Sequence, residues 1–298
     1  METVQPARGR RARGIGMTLA SGNTAFSVGL QRAVHHLFDP EPRILEDGAA
    51  WSLLNADERG LVERRPELFQ TSPVRGFRRR LLARQRYAED ALRQTAPEVA
   101  WQDVAWQYVI LGAGLDSFAW RQPDWARGLT IFEVDRPAEQ AEKRERLAAS
   151  GLETPANLRF VEADFERDDL LDLLIAQGLS VSAPTFFSCL GVLVYLSREA
   201  IERLLGLPLR MRGPARIAFS TAGDASRGGE GALARLAAAS QERWISPVGP
   251  EEMRAWLERI GYQDIAGTDT DRYLDQIMPP GHARAGSGAP SHLFLAVK

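Results

Sequence analysis

The sequence predicts an α/β fold: a doubly wound, Rossmann-like sheet preceded by an N-terminal helical cap. Three observations predict it. Apolar runs of strand length recur from Gln107 onward, charged segments of helix length separate most of them, and the first run ends in a glycine-rich turn. Strands that alternate with helices imply right-handed crossovers, which cover both faces of a largely parallel sheet.

The elements follow in chain order. Residues 1–22 carry Arg8, Arg10, Arg11 and Arg13 among several glycines and have little to bury, so they read as a flexible basic terminus. Residues 23–104 read as the cap. Apolar residues stand there at three-to-four spacing (Val28, Val34, Leu37 and Phe38, then Leu53 and Leu54, then Leu81, Leu82, Tyr87 and Leu92), and Pro40, Pro42, Pro66 and Pro73 divide them into several helices. Residues 105–298 read as the α/β part. Strands are expected at Gln107–Leu111, Leu129–Val134, Leu158–Val161, Thr185–Leu190, Arg216–Ser220 and Leu293–Val297. Helices are expected at Pro137–Ser150, Arg167–Gln177, Arg198–Leu205 and Pro250–Ile260. Gly223–Gly231 and Gly281–Pro290 read as mobile loops that help to build an acceptor pocket.

Composition narrows the function. With 298 residues, 44% hydrophobic and 26% charged, the chain has the make-up of an ordinary globular protein. A formal charge of -2 supplies no global field for nucleic acid or an anionic membrane, so selectivity is expected from a local pocket for a small molecule. Of 37 basic residues only Lys143 and Lys298 are lysines, a skew that reads first as coding bias. The single Cys189 excludes an intramolecular disulfide and a cysteine zinc site and fits a reducing cytoplasm. Four histidines without metal-site spacing point to no metal. No apolar h-region follows the first arginines, and Phe186–Leu196 is shorter than the ~20 residues a bilayer requires. Nothing in the sequence sets an oligomeric state.

Three successive strand ends carry residues suited to a ligand. The first, Val109-Ile110-Leu111-Gly112-Ala113-Gly114-Leu115-Asp116-Ser117, lets backbone approach a ligand at Gly112, Ala113 and Gly114. Ser117 occupies the third glycine position of a dinucleotide fingerprint, which counts against pyrophosphate. The second strand ends in Glu133-Val134-Asp135. A carboxylate there can accept bonds from both ribose hydroxyls, and alternation puts Glu133 and Asp135 on one side, so either could serve. The third ends in Asp164-Phe165, an acid for an exocyclic amine beside a ring for a purine face. Each site also has a plain structural reading: Glu133 or Asp135 as cap of the helix after Pro137, Asp164 as cap of a helix from Arg167, and Phe165 as core. NAD and S-adenosylmethionine both suit the set.

With these motifs the chain resembles the leucine carboxyl methyltransferase family of class I S-adenosylmethionine-dependent methyltransferases, and in particular its bacterial branch associated with O-methylation of polyketides and other secondary metabolites. The resemblance is carried by Thr24-Ala25 with Arg32-Ala33, Ile44 to Asp47, Arg84 to Leu92, Ile110 to Arg121, Phe132 to Pro137, Val161 to Phe165 and Leu190 to Leu196. It implies a seven-stranded sheet whose last strand lies antiparallel beside the fifth. It also implies S-adenosylmethionine as cofactor and a carboxyl or hydroxyl group of a small molecule as acceptor. Gly112, Ala113, Gly114 and Asp116 would then lie at the methionine part of the cofactor, Asp135 or Glu133 at the ribose, and Asp164 with Phe165 at the adenine. Arg84 would pair with the cofactor carboxylate, a task a bidentate guanidinium suits. Tyr195 would sit near the transferring methyl, and Leu190 stands where many members have an acid.

Methyl transfer from a sulfonium is an in-line displacement, so it rests mainly on positioning. An acceptor carboxyl is already ionised at neutral pH, whereas a phenol or alcohol needs a base. The candidates for that base are His35, His36, His282 and His292, and nothing in the sequence pairs any of them with a carboxylate. Two further readings stay open: a cofactor-binding protein without transferase activity, and an NAD-dependent oxidoreductase on a similar sheet. An RNA methyltransferase using Arg8–Arg13 as an electrostatic arm is disfavoured by the balanced charge.

Overall fold

The computed structural model describes residues 24–95, 106–222, 248–280 and 290–298. The expected basic terminus, residues 96–104 of the cap, the loops at 223–231 and 281–289, and His282 all lie outside the described residues.

Four helices open the described chain: α1 (Thr24–Phe38), α2 (Ala49–Ser52), α3 (Ala56–Arg64) and α4 (Ser72–Thr95). A reciprocal capping box between Asn55 and Glu58 starts α3. The chain leaves α3 at Arg65, ahead of Pro66, which continues no helix through its missing N–H. Leu30, Ala33 and Val34 of α1 pack with Ala50, Leu54, Val62 and Phe69 into a local core. The long α4 belongs to two layers at once. Its Leu82 and Ala83 pack among Ile44, Leu45 and Leu293, while Ala88, Ala91 and Leu92 pack on Tyr108, Ile110, Phe186 and Ala218 of the sheet.

The sheet comprises β1 (Gln107–Leu111), β2 (Thr130–Asp135), β3 (Leu158–Glu162), β4 (Thr185–Cys189), β5 (Ala215–Thr221), β6 (Asp264–Asp269) and β7 (His292–Val297), in the order β3-β2-β1-β4-β5-β7-β6. The first five are parallel, and β7 lies antiparallel between β5 and β6, as the resemblance implies. On the face away from α4, Val109, Leu111, Phe132, Val134, Phe187 and Phe219 pack against α6 (Leu170–Ala176), α7 (Arg198–Leu205) and α8 (Pro250–Ile260). With α5 (Pro137–Ser150) and α9 (Thr270–Ile277), the sheet is the covered, doubly wound one that the alternating runs predict. No described helix is long and apolar enough to cross a membrane.

Two expectations need correction. Helix α6 begins at Leu170, not Arg167, because the Asp169 carboxylate accepts the N–H groups of Leu171 and Asp172 and so fixes the start there. The apolar runs place six of the seven strands that the resemblance implies; the seventh is Asp264–Asp269, and the helix α9 after it has no counterpart among the expected helices. The strand is an edge with one hydrogen-bonded neighbour and a largely exposed, polar sequence, so it lacks the apolar run that marks the others.

Candidate functional site

Strand order reverses between β1 and β4, and the crevice at their carboxyl ends is where an open α/β sheet takes ligands. Three chain segments meet there. The first is the turn after β1. The N–H groups of Gly112 and Ala113 both donate to the carbonyl of Val134, at 2.8 and 3.1 Å, which bends the chain back over β2. Gly112 has φ +71°, and a Cβ there would overlap Val192 of the loop after β4. The turns after β1 and β4 therefore touch across the switch point through a position only glycine suits. Gly114 then donates its N–H to Asp135 Oδ2 at 2.6 Å, and Arg136 N–H donates to Asp135 Oδ1 at 2.8 Å. Burial pushes the Asp135 carboxyl up against those two donors.

The second segment follows β3. Ala163 N–H donates to the Asp135 carbonyl at 2.9 Å and brings Asp164 and Phe165 beside the β2 tip. Asp164 is half-buried. It caps its own turn by accepting Glu166 N–H at 3.0 Å, and not a helix from Arg167. Phe165 is also half-buried and leans on the core.

The third segment follows β4. Leu190 packs against the core around Tyr108, Gly191 donates its N–H to Ser220 Oγ at 2.9 Å, and Tyr195 ends a short 3-10 turn. Arg84 reaches this loop from α4. A Cβ on Gly191 would stand 3.0 Å from an Arg84 guanidinium nitrogen, so a glycine leaves room for the arginine. The Arg84 Nε is buried without a hydrogen-bond partner, and among the described residues no carboxylate forms an ion pair with it. Burial pulls Arg84 down to about 10, partly offset by the Tyr195 phenol, so it stays cationic at neutral pH.

Gly112, Ala113, Gly114, Asp135, Asp164, Phe165, Leu190, Tyr195 and Arg84 thus converge at the carboxyl ends of β1 to β4. Two candidates do not. Glu133 is fully buried with its carboxylate on Lys143 Nζ, and burial raises it to about 7 despite that cation. Of the two acids the alternation left open, Asp135 stands at the tip and Glu133 within the interior. Asp116 is also buried. Its carboxylate accepts from Gln85 Nε2 at 3.0 Å and from Phe118 N–H at 2.7 Å. Burial would raise that acid, but Arg32, Arg121 and Lys143 outweigh it and hold the carboxyl low.

These two acids belong to a buried polar network that the motifs did not disclose. Arg32 donates to the carbonyl of Leu115 and lies 3.3 Å from Asp47, which accepts from Ser117 Oγ at 2.7 Å. Arg121 joins Ser117 to Glu89 of α4. Lys143 Nζ donates to the Asp116 carbonyl at 2.7 Å as well as to Glu133. The sequence held one signal for this network: a lone internal lysine in an arginine-rich chain.

Two of the described histidines face a carboxylate. His35 Nδ1 lies 2.7 Å from Asp39 Oδ2, and Arg78 grips Asp39 with two bonds of 2.8 and 2.6 Å. His35 is buried, and Leu45 N–H faces its Nε2 at 3.4 Å, so the imidazole is closed inside the cap. His36 approaches Glu46 at 3.6 Å.

Residues 25–207 match the sequence profile described as leucine carboxyl methyltransferase. The chain is 37% identical over 173 residues to a Bacillus subtilis protein provisionally named S-adenosyl-L-methionine-dependent methyltransferase YktD, an alignment covering 55% of this chain and 57% of that protein. It is 32% identical over 186 residues to a Mycobacterium avium protein given the same provisional name, covering 58% and 59%. The match thus spans somewhat over half the length of these relatives. A crystal structure of a Thermobifida fusca protein, provisionally titled a methyltransferase, superposes with a TM-score of 0.55 at 16% identity, covering 97% of this chain and 99% of that one. The fold is that of the class I methyltransferases.

Proposed function

Because the chain belongs to the leucine carboxyl methyltransferase family, we propose that it uses S-adenosylmethionine to methylate an oxygen of a small molecule, a carboxyl or hydroxyl group of a polyketide-like metabolite. The observation that carries this reading is Arg84. Arg84 is half-buried, but its Nε is enclosed without a partner, which is costly unless a ligand anion completes it, and the carboxylate of the cofactor's amino-acid end has the matching charge and planar geometry. Gly112, Ala113 and Gly114 leave backbone room beside it, Asp135 stands where ribose hydroxyls would be held, and Asp164 with Phe165 where an adenine would be.

The cofactor supplies an electrophilic methyl on sulfur. The residues of this chain bind and orient. Arg84 fixes one end of the cofactor and the β2 and β3 tips the other. Tyr195, beside Arg84, borders the space where an acceptor would lie behind the methyl. A carboxylate acceptor arrives ionised and needs no base, and the base candidate His35 is locked to Asp39. Ser117, in place of a dinucleotide site's third glycine, is buried and bonded to Asp47, which weighs against a nicotinamide cofactor.

Calorimetry with S-adenosylhomocysteine and with 5′-methylthioadenosine, which lacks the amino-acid end, tests the reading. The wild type should bind both. Asp135→Ala should lose both, and Arg84→Gln should weaken only S-adenosylhomocysteine, by about 10- to 100-fold for a lost charge-assisted bond. No heat with the wild type, or equal losses for the two ligands in Arg84→Gln, would sink it. Transfer of labelled methyl to an extracted metabolite tests the transferase step itself.

A further inference from the structure

The turn that follows β1 has two sides. Gly112 to Gly114 bond the β2 tip through their N–H groups, and the next two carbonyls, those of Leu115 and Asp116, each accept from a buried cation. Arg32 of α1 donates to the Leu115 carbonyl. Lys143 of α5 donates to the Asp116 carbonyl at 2.7 Å while pairing with Glu133, and its ammonium lies 5.2 Å from the centroid of the Trp120 ring. Both side chains are almost wholly enclosed, at 3% and 1% exposure. Arg32 also pairs with Asp47 at 3.3 Å and with Asp116 at 3.7 Å, so each cation has its carboxylate and its further bond to a carbonyl ties that backbone to it as well.

We propose that Arg32 and Lys143 are positioning residues for cofactor binding: by holding the Leu115 and Asp116 carbonyls they keep the Gly112–Gly114 backbone aimed into the crevice. This rests on the reading of the crevice as the cofactor site. It also accounts for a lysine at position 143 in a chain whose other basic residues, apart from Lys298, are arginines. One compact ammonium can serve a carboxylate and a carbonyl beneath an aromatic ring, whereas a planar guanidinium needs a wider, coplanar arrangement of acceptors. Two variants separate the grip from the ion pair. Glu133→Gln removes the charge but leaves the lysine on the Asp116 carbonyl. Lys143→Met with Glu133→Gln removes the grip and leaves no unpaired charge behind.

The test measures S-adenosylhomocysteine affinity by calorimetry, and amide exchange over residues 112–117 in the ligand-free protein, well below the melting midpoint. Glu133→Gln should bind within about threefold of the wild type, while the double variant should bind at least about tenfold more weakly, as loss of a bond from a charged donor implies. The same amides should exchange faster in the double variant alone. Arg32→Lys, which keeps the charge and shortens the reach to Leu115, should weaken binding in the same direction and covers the case in which the double variant does not fold. Wild-type affinity in a folded double variant, or in Arg32→Lys, would overturn the grip and leave the cofactor reading intact. A wild type that binds nothing would remove that reading and the grip with it. A purely structural role would lower the melting temperature of the double variant with affinity and loop exchange unchanged, and that result also counts against the proposal.

Discussion

Glu133 and Asp135 differ by two residues on one strand, point the same way, and meet opposite surroundings. Alternation alone could not tell them apart. What separates them is depth: Asp135 reaches the strand tip, while Glu133 stops beneath α5, where Lys143, ten positions further along the chain, covers it. That burial has a measurable consequence. The folded-state pKa of Glu133 is raised from 4.5 to about 7, so the native protein holds a proton that the unfolded chain releases. Its contribution to stability is therefore fully present below about pH 4.5 and is lost as pH rises toward 7. Urea midpoints taken from about pH 5 to about pH 7.5 should fall for the wild type relative to Glu133→Gln, which has no such proton to lose. Parallel curves for the two proteins would show that Glu133 does not titrate there. Asp39 acts in a separate window. Although burial opposes it, His35 and Arg78 lower its carboxyl from 3.8 to about 2, so its contribution is lost only as pH falls through that range. Arg84 stands out in the sequence only through a stretch matching the family, and no local pattern in the sequence says that its guanidinium lacks a carboxylate.

At the scale of elements, legibility followed the apolar pattern. The five parallel strands and the helices α5, α7 and α8 stand where the alternating runs put them, because a buried parallel sheet demands continuous apolar stretches that any reader can find. The edge strand β6 and helix α9 escaped because their order comes from partners distant in sequence. Asp269 ends β6 and caps α9 by accepting the N–H groups of Asp271 and Arg272, at 3.0 and 2.9 Å. Arg80 of α4 grips Asp271, and Tyr273 Oη donates to Asp90 Oδ2 at 2.5 Å. Helix α9 thus braces the same helix that carries Arg84. Replacing Asp269 with Ala should cost about 1 kcal/mol, a fall of roughly 2–4 °C in melting temperature for a chain of this size. A melting temperature unchanged within error would mean that the cap of α9 contributes nothing to the fold.

Across the whole molecule, the division into cap and sheet that the sequence suggests is one of composition more than of cohesion. Hydrophobic residues of α4 fill the core over Tyr108 and Ile110, and the buried network of Arg32, Asp47, Asp116, Arg121 and Glu89 crosses the same boundary. Further out, Arg146 of α5 clasps Glu58 of α3 with bonds of 2.7 and 2.9 Å, both side chains nearly enclosed. Helices that share a core and buried ions with a sheet lose both on separating, so the two parts should unfold together. Near-ultraviolet circular dichroism and amide exchange in α1 to α4 and in β1 should report one transition with one midpoint. A double-mutant cycle of Glu58→Gln with Arg146→Met should give a coupling above about 1 kcal/mol, larger than the few tenths typical of an exposed pair such as Arg210 with Asp169. Had the cap been an independent layer, urea would melt it first, and the Glu58–Arg146 coupling would appear only in that earlier step. In a cooperative molecule the same coupling moves the single midpoint, and the order of the turn after β1 rises and falls with that of the cap.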